Sequence, residues 1–90
     1  MKARYRVHIS GGVQDVGFRA FLERVASRFN LKGWTRNLKN GRVEAVFEGE
    51  KEDLEDALKI LERGPPFSEV EKMDVDEEAY TGEFDVFDVR

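Results

Sequence analysis

Residues 4 to 10 alternate. Tyr5, Val7 and Ile9 fall on one side, and Arg4, Arg6, His8 and Ser10 on the other. A period of two predicts a half-buried strand, with His8 among its sheet-surface positions. Glycine then takes over, with Gly11, Gly12 and Gly17 in a short loop. From Phe18 the period changes. Phe18, Leu22, Val25, Ala26 and Phe29 recur at threes and fours, Phe21 widens the stripe, and Asn30 is a suitable stop. That spacing predicts a helix over residues 18–29. Residues 31–38 read as a second strand, with Gly33 and Trp34 near its start and Trp34 assigned to the core. Lys39-Asn40-Gly41-Arg42 is a hairpin signal, and Asn-Gly predicts a type I′ turn. A third strand over 42–48 directs Val43, Ala45 and Phe47 inward and leaves Arg42, Glu44, Val46 and Glu48 outward.

A second helix is expected over residues 51–63, with Leu54, Ala57, Leu58 and Leu61 as its stripe. Its acids lie early and Lys59 and Arg63 late, an order that complements the helix dipole. Gly64-Pro65-Pro66 ends it. Residues 68–76 read as a fourth strand. Residues 83–89 read as a short last one, carrying Phe84, Val86, Phe87 and Val89. The order β-α-β-β-α-β-β, without repeat or linker, predicts an α+β two-layer sandwich of ferredoxin-like arrangement. Two helices would cover one face of an antiparallel sheet whose first and third strands are central. At 90 residues, one domain over 1–90 is expected.

Composition narrows the chemistry. There is no cysteine and a single histidine, His8. Disulfides, thiolate nucleophiles and thiolate metal sites are excluded, and a Ser-His-Asp triad or zinc site has little to draw on. Fifteen basic against nineteen acidic residues leave a net charge of −4, which disfavours nucleic acid as a partner. An RNA-recognition sheet would also need outward aromatics on the third strand, where none is found. No apolar run is long enough for a membrane span, and the basic N-terminus leads into no signal-peptide run. A cytoplasmic chain is expected. High charge content with no Cys and two Met fits heat adaptation.

The glycine loop running into the first helix is the segment with chemical content. A helix N-terminus offers unpaired N–H groups and partial positive charge, and glycines let the backbone curl its amides toward an anion. Arg19 stands in the first turn, where a cation is mildly unfavourable unless an anion binds between it and the amides. On these residues alone the segment reads first as a tight turn with a solvent-facing arginine. The Gly-Lys-Ser/Thr ending of a P-loop is missing.

The whole string Gly11-Gly12-Val13-Gln14-Asp15-Val16-Gly17-Phe18-Arg19 resembles the signature of the acylphosphatases, glycine, any residue, then Val-Gln-Gly-Val-Gly-Phe-Arg. The segment from Gly33 to Glu44 resembles that family's second, strand-hairpin-strand signature. The likeness runs from about residue 5 to residue 89. It implies the same sandwich, and hydrolysis of acyl phosphates to a carboxylate and inorganic phosphate. It implies no cofactor and no metal, with a monomer expected. It further implies that Arg19 and the backbone of Gln14, Asp15, Val16, Gly17, Phe18 and Arg19 bind the phosphoryl group, and that Asn37 orients the attacking water. The chemistry is compatible. Phosphoryl transfer asks a protein mainly for positioning and charge stabilisation. An arginine fork can hold two phosphate oxygens, and an asparagine offers a water both a donor and an acceptor. Read without the resemblance, Asn37 is first of all a residue preparing the hairpin turn.

Asp15 stands where the family pattern has glycine. A carboxylate about 5 Å from a phosphate costs on the order of 3 kcal/mol at an effective dielectric near 20. Three arrangements stay open: Asp15 repelling the substrate, pairing with Arg19, or capping the helix with its side chain outward. An alternative function follows from the first two, a weakly active or non-catalytic module that binds anions or proteins.

Overall fold

In a computed structural model, residues 1–14 and 17–90 are described; Asp15 and Val16 lie outside that set. The elements are β1 (Lys2–Gly12), α1 (Phe18–Arg28), β2 (Lys32–Asn37), β3 (Val43–Glu50), α2 (Lys51–Arg63), β4 (Glu69–Glu78) and β5 (Phe87–Val89). They form one five-stranded sheet in the order β4-β1-β3-β2-β5. The β1–β3, β1–β4 and β2–β3 pairs are antiparallel. The last pair, β2–β5, is parallel. This is the ferredoxin-like α+β sandwich with β1 and β3 inside the sheet.

The alternating side chains of β1 and β3 build the core. Tyr5, Val7, Ile9, Val43, Ala45 and Phe47 pack with Phe18, Leu22, Val25 and Ala26 of α1 and Leu54, Ala57 and Leu61 of α2. Both helices therefore cover the same face. Asn30 ends α1 in the way its sequence position suggested. It takes the left-handed conformation at φ 55°, while Leu31 N–H donates to Ala26 O at 2.8 Å and Asn30 N–H to Ser27 O at 3.2 Å. These are the two bonds of a Schellman motif, and buried Leu31 supplies its apolar contact.

Three expectations need correction. The β2–β3 turn is not type I′. Leu38 O accepts from Gly41 N–H at 3.2 Å, Gly41 has φ 90° and Asn40 has no positive φ. A two-residue turn with one left-handed residue after it makes a three-residue loop, in which only glycine's position needs φ > 0. Asn40 contributes its side chain instead, Oδ1 accepting from Arg42 N–H at 3.0 Å.

Next, the outward face of β3 is not open. Glu44, Val46 and Glu48 are all buried, because a charged layer and the segment 79–86 lie over them. Glu44 meets Arg6, Arg36 and His8 at 2.8–3.1 Å. Glu48 meets Arg4 at 3.3 Å and accepts from the N–H groups of Thr81 and Gly82 and from Thr81 Oγ1 at 3.0–3.1 Å. Trp34 is buried here rather than in the core between the layers, with the guanidinium carbons of Arg6, Arg36 and Arg90 at 4.9–5.7 Å from its ring.

Lastly, β5 is only Phe87–Val89, since residues 79–86 serve as the cover just described.

Candidate active site

The site is assembled where β1 hands over to α1 and where β2 ends. At Gly11 the β1–β4 register shifts. Its φ is 123°, and a Cβ there would stand 2.2 Å from Glu69 O, so only glycine fits. The bulge leads the chain off the sheet and into the loop.

Gly17, left-handed at φ 72°, is the N-cap of α1, and among the described residues no side chain caps the helix. The first intrahelical bond runs from Phe21 N–H to Gly17 O at 3.1 Å. The amides of Phe18, Arg19 and Ala20 therefore have no partner within the helix. No acid stands in the first turn to offset the positive end of the dipole. Arg19 stands at this terminus, half-buried.

Asn37 closes β2 opposite Val43. Its Oδ1 is buried and, among the described residues, has no hydrogen-bond partner. An unpartnered buried acceptor is uncommon and points to a water or ligand group as its complement. A pocket of about 200 Å³ joins the two halves. Gly17, Phe18, Arg19 and Ala20 line it from the helix, Asn37 from β2, and Val13 and Val89 complete its wall.

Gly17, Phe18, Arg19 and Asn37 are thus brought together around one cavity. Gln14 is turned elsewhere: its Nε2 donates to Leu38 O at 3.0 Å and Arg42 O at 2.9 Å, in the mouth of the hairpin. The expectations placed on Asp15 and Val16 fall outside the described residues. Two participants were missed in the sequence. Val89 lines the pocket, and Arg90 reaches Arg19, whose Nη1 donates to the Arg90 carbonyl oxygen. Arg90 is itself held by its N–H on Thr35 O at 2.8 Å and by its guanidinium over Trp34 at 4.9 Å. No sequence signal links positions so far apart. Among the described residues no cluster of three His, Asp or Glu could hold a metal ion.

Helix-terminal amides and an arginine lining one pocket with a buried carboxamide oxygen suit a tetrahedral anion and a water. A family model described as Acylphosphatase matches residues 5–89. The chain belongs to the acylphosphatase family. Its relatives include an acylphosphatase of Syntrophus aciditrophicus (strain SB), 49% identical over 87 residues, covering 97% of this chain and 91% of that one. Another, from Methylococcus capsulatus (strain ATCC 33009 / NCIMB 11132 / Bath), is 48% identical over 86 residues, covering 96% and 94%. The crystal structure of acylphosphatase from Bacillus subtilis superposes with a TM-score of 0.93 at 34% identity, covering 100% of this chain and 99% of that one. The acylphosphatase sandwich thus spans the full length of this chain.

Proposed function

We propose that this member of the acylphosphatase family hydrolyses the carboxyl–phosphate bond of acyl phosphates in the pocket between α1 and Asn37. Residues 1–90 would act as one domain, as a cytoplasmic monomer. The observation that carries the assignment is the buried Oδ1 of Asn37, unpartnered among the described residues and set across a cavity from the N-terminus of α1. The phosphoryl oxygens bind the amides at the start of the helix and the Arg19 fork, with the backbone of residues 14–19 forming the cradle. Arg19 leaves the Arg90 carbonyl in part or shares its five donors between the two. A water donates one hydrogen bond to Asn37 Oδ1 and is thereby aimed at phosphorus.

The water oxygen forms the new P–O bond as the bond from phosphorus to the acyl oxygen breaks. The acyl oxygen departs with the electron pair as a carboxylate. The water's proton passes to a phosphoryl oxygen, so the products are a carboxylate and inorganic phosphate. A carboxylate is a good leaving group, so neither a strong general base nor a nucleophilic side chain is required. Aligned donors for the developing charge and a positioned water supply the catalysis.

Phosphate release from a generic acyl phosphate tests this. Arg19→Ala should lower kcat/KM at least about 100-fold, the scale for losing one preorganised donor. Asn37→Ala should lower kcat strongly and leave the affinity for inorganic phosphate nearly unchanged, because it acts on the water and not on the anion. Near-normal turnover in Arg19→Ala overturns the site. Weaker phosphate binding at unchanged kcat in Asn37→Ala overturns the water assignment.

A further inference from the structure

The Gln14 side chain is bonded to the hairpin and is not among the groups that line the pocket. Two carbonyl oxygens, of Leu38 and Arg42, converge on one atom of its carboxamide at 3.0 and 2.9 Å. Only the amide nitrogen can face two acceptors, so the placement fixes which way the group points. Both of its N–H bonds are then spent, and none remains for a phosphoryl oxygen. The two carbonyls also close the hairpin. Leu38 N–H donates to Arg42 O at 2.8 Å, and Gly41 N–H donates to Leu38 O at 3.2 Å. Leu38 directly follows Asn37 in the chain.

We infer that Gln14 is a positioning residue: its carboxamide clamps the glycine-rich loop to the β2–β3 hairpin and so fixes the distance between the phosphoryl cradle and Asn37. The loop and the hairpin belong to separate connections of the sheet. Without the clamp each would hold its own ligand, the anion on one side and the water on the other, but their mutual placement would be loose. Misplacing reacting groups by about 1 Å can cost about 100-fold in rate. The Gln14 side chain therefore acts through Asn37, and the inference rests on the assignment of Asn37 to the water.

The test is a double-variant cycle in steady-state hydrolysis of a generic acyl phosphate, with inorganic phosphate affinity measured alongside. Gln14→Met keeps the length and bulk of the side chain and removes both donors; Gln14→Ala removes the chain as well. Both should lower kcat about tenfold or more while phosphate affinity stays within about twofold. In the Asn37→Ala background the same substitutions should cost less than about twofold further, because the alignment they disturb no longer serves a water. Thermal melts establish that each variant is folded at the assay temperature. If Gln14→Ala does not fold, Gln14→Met decides.

Three results overturn the clamp. The first is weakened phosphate binding in Gln14→Met, which makes Gln14 an anion ligand. The second is unchanged kcat with a lowered Tm, which makes it a stabilising residue only. The third is a full, multiplicative loss in the double variant when Asn37→Ala alone is impaired, which separates Gln14 from the water. If Asn37→Ala alone retains wild-type kcat, the water assignment fails, and with it the route by which Gln14 is argued to act.

Discussion

Asp15 puts a charge where the acylphosphatase signature has glycine. In a loop proposed to gather amides around a multiply charged anion, a carboxylate raises the energy of bound substrate before any bond changes. Ground-state binding should suffer first, so KM is expected to be raised more than kcat is lowered. Asp15→Gly should increase kcat/KM about tenfold, equivalent to about 1.4 kcal/mol. Asp15→Asn removes the charge while tolerating similar backbone angles. Equal rescue by Asn and Gly in the phosphate-release assay identifies charge as the cause, and rescue by Gly alone identifies backbone geometry. No change with either shows that Asp15 faces away from substrate. Arg19 and Asn37 were legible as candidates because each sits inside a contiguous motif, and both line one pocket. Arg90 was not, since its hold on Arg19 joins residues 71 positions apart and exists only once β5 pairs with β2.

The helices and their ends could be read from sequence because their signals are local. The stripe of α1 and the Asn30 stop lie within one stretch of chain, and α2 spans the residues its pattern marked. The hairpin was located correctly but its turn was not. Asn-Gly is compatible with more than one loop length, and the choice was made by the β2–β3 register, Asn37 opposite Val43. This geometry carries a prediction. Gly41 has φ 90° and open space around a would-be Cβ. Gly41→Ala should therefore cost only its backbone strain, about 1 kcal/mol, seen as a lowered midpoint in urea. Because the hairpin carries Asn37 and receives Gln14, kcat should fall in the same variant. The wrong expectation for β3 had a different origin. Alternation tells which residues share a face but not whether a later segment will cover that face. Residues 79–86, with Glu48 accepting from Thr81 and Gly82, do so here.

Across the whole molecule, the face away from the helices is held by ion pairs rather than by apolar packing. Burial pushes the Glu44 carboxyl up, but its bonds to Arg36, Arg6 and His8 outweigh this and hold it below its ordinary 4.5. Arg6 and Arg4 likewise hold Glu78 below that value. With these groups depressed, the unfolded chain binds more protons than the folded one at and below pH 4.5. Their contribution is complete well above 4.5 and is lost as pH falls through the folded-state values. Melts between pH 7 and pH 3 should show Tm dropping on the acid side. Glu44→Gln should be less stable than wild type at pH 7 and should approach it as the medium is acidified. One edge of the sheet is β4, a ten-residue strand with only β1 beside it. Its exposed positions are mostly Glu and Asp, and like charge along a free edge keeps other chains from adding a strand. Removing that charge would leave the edge open to a second chain. Neutral substitutions along β4 are therefore expected to end in intermolecular β-assembly. At pH 7, light scattering should rise with protein concentration in the variant Glu69→Gln, Glu71→Gln, Asp76→Asn, and Val75→Lys, which places a cation on the same edge, should suppress it in that background.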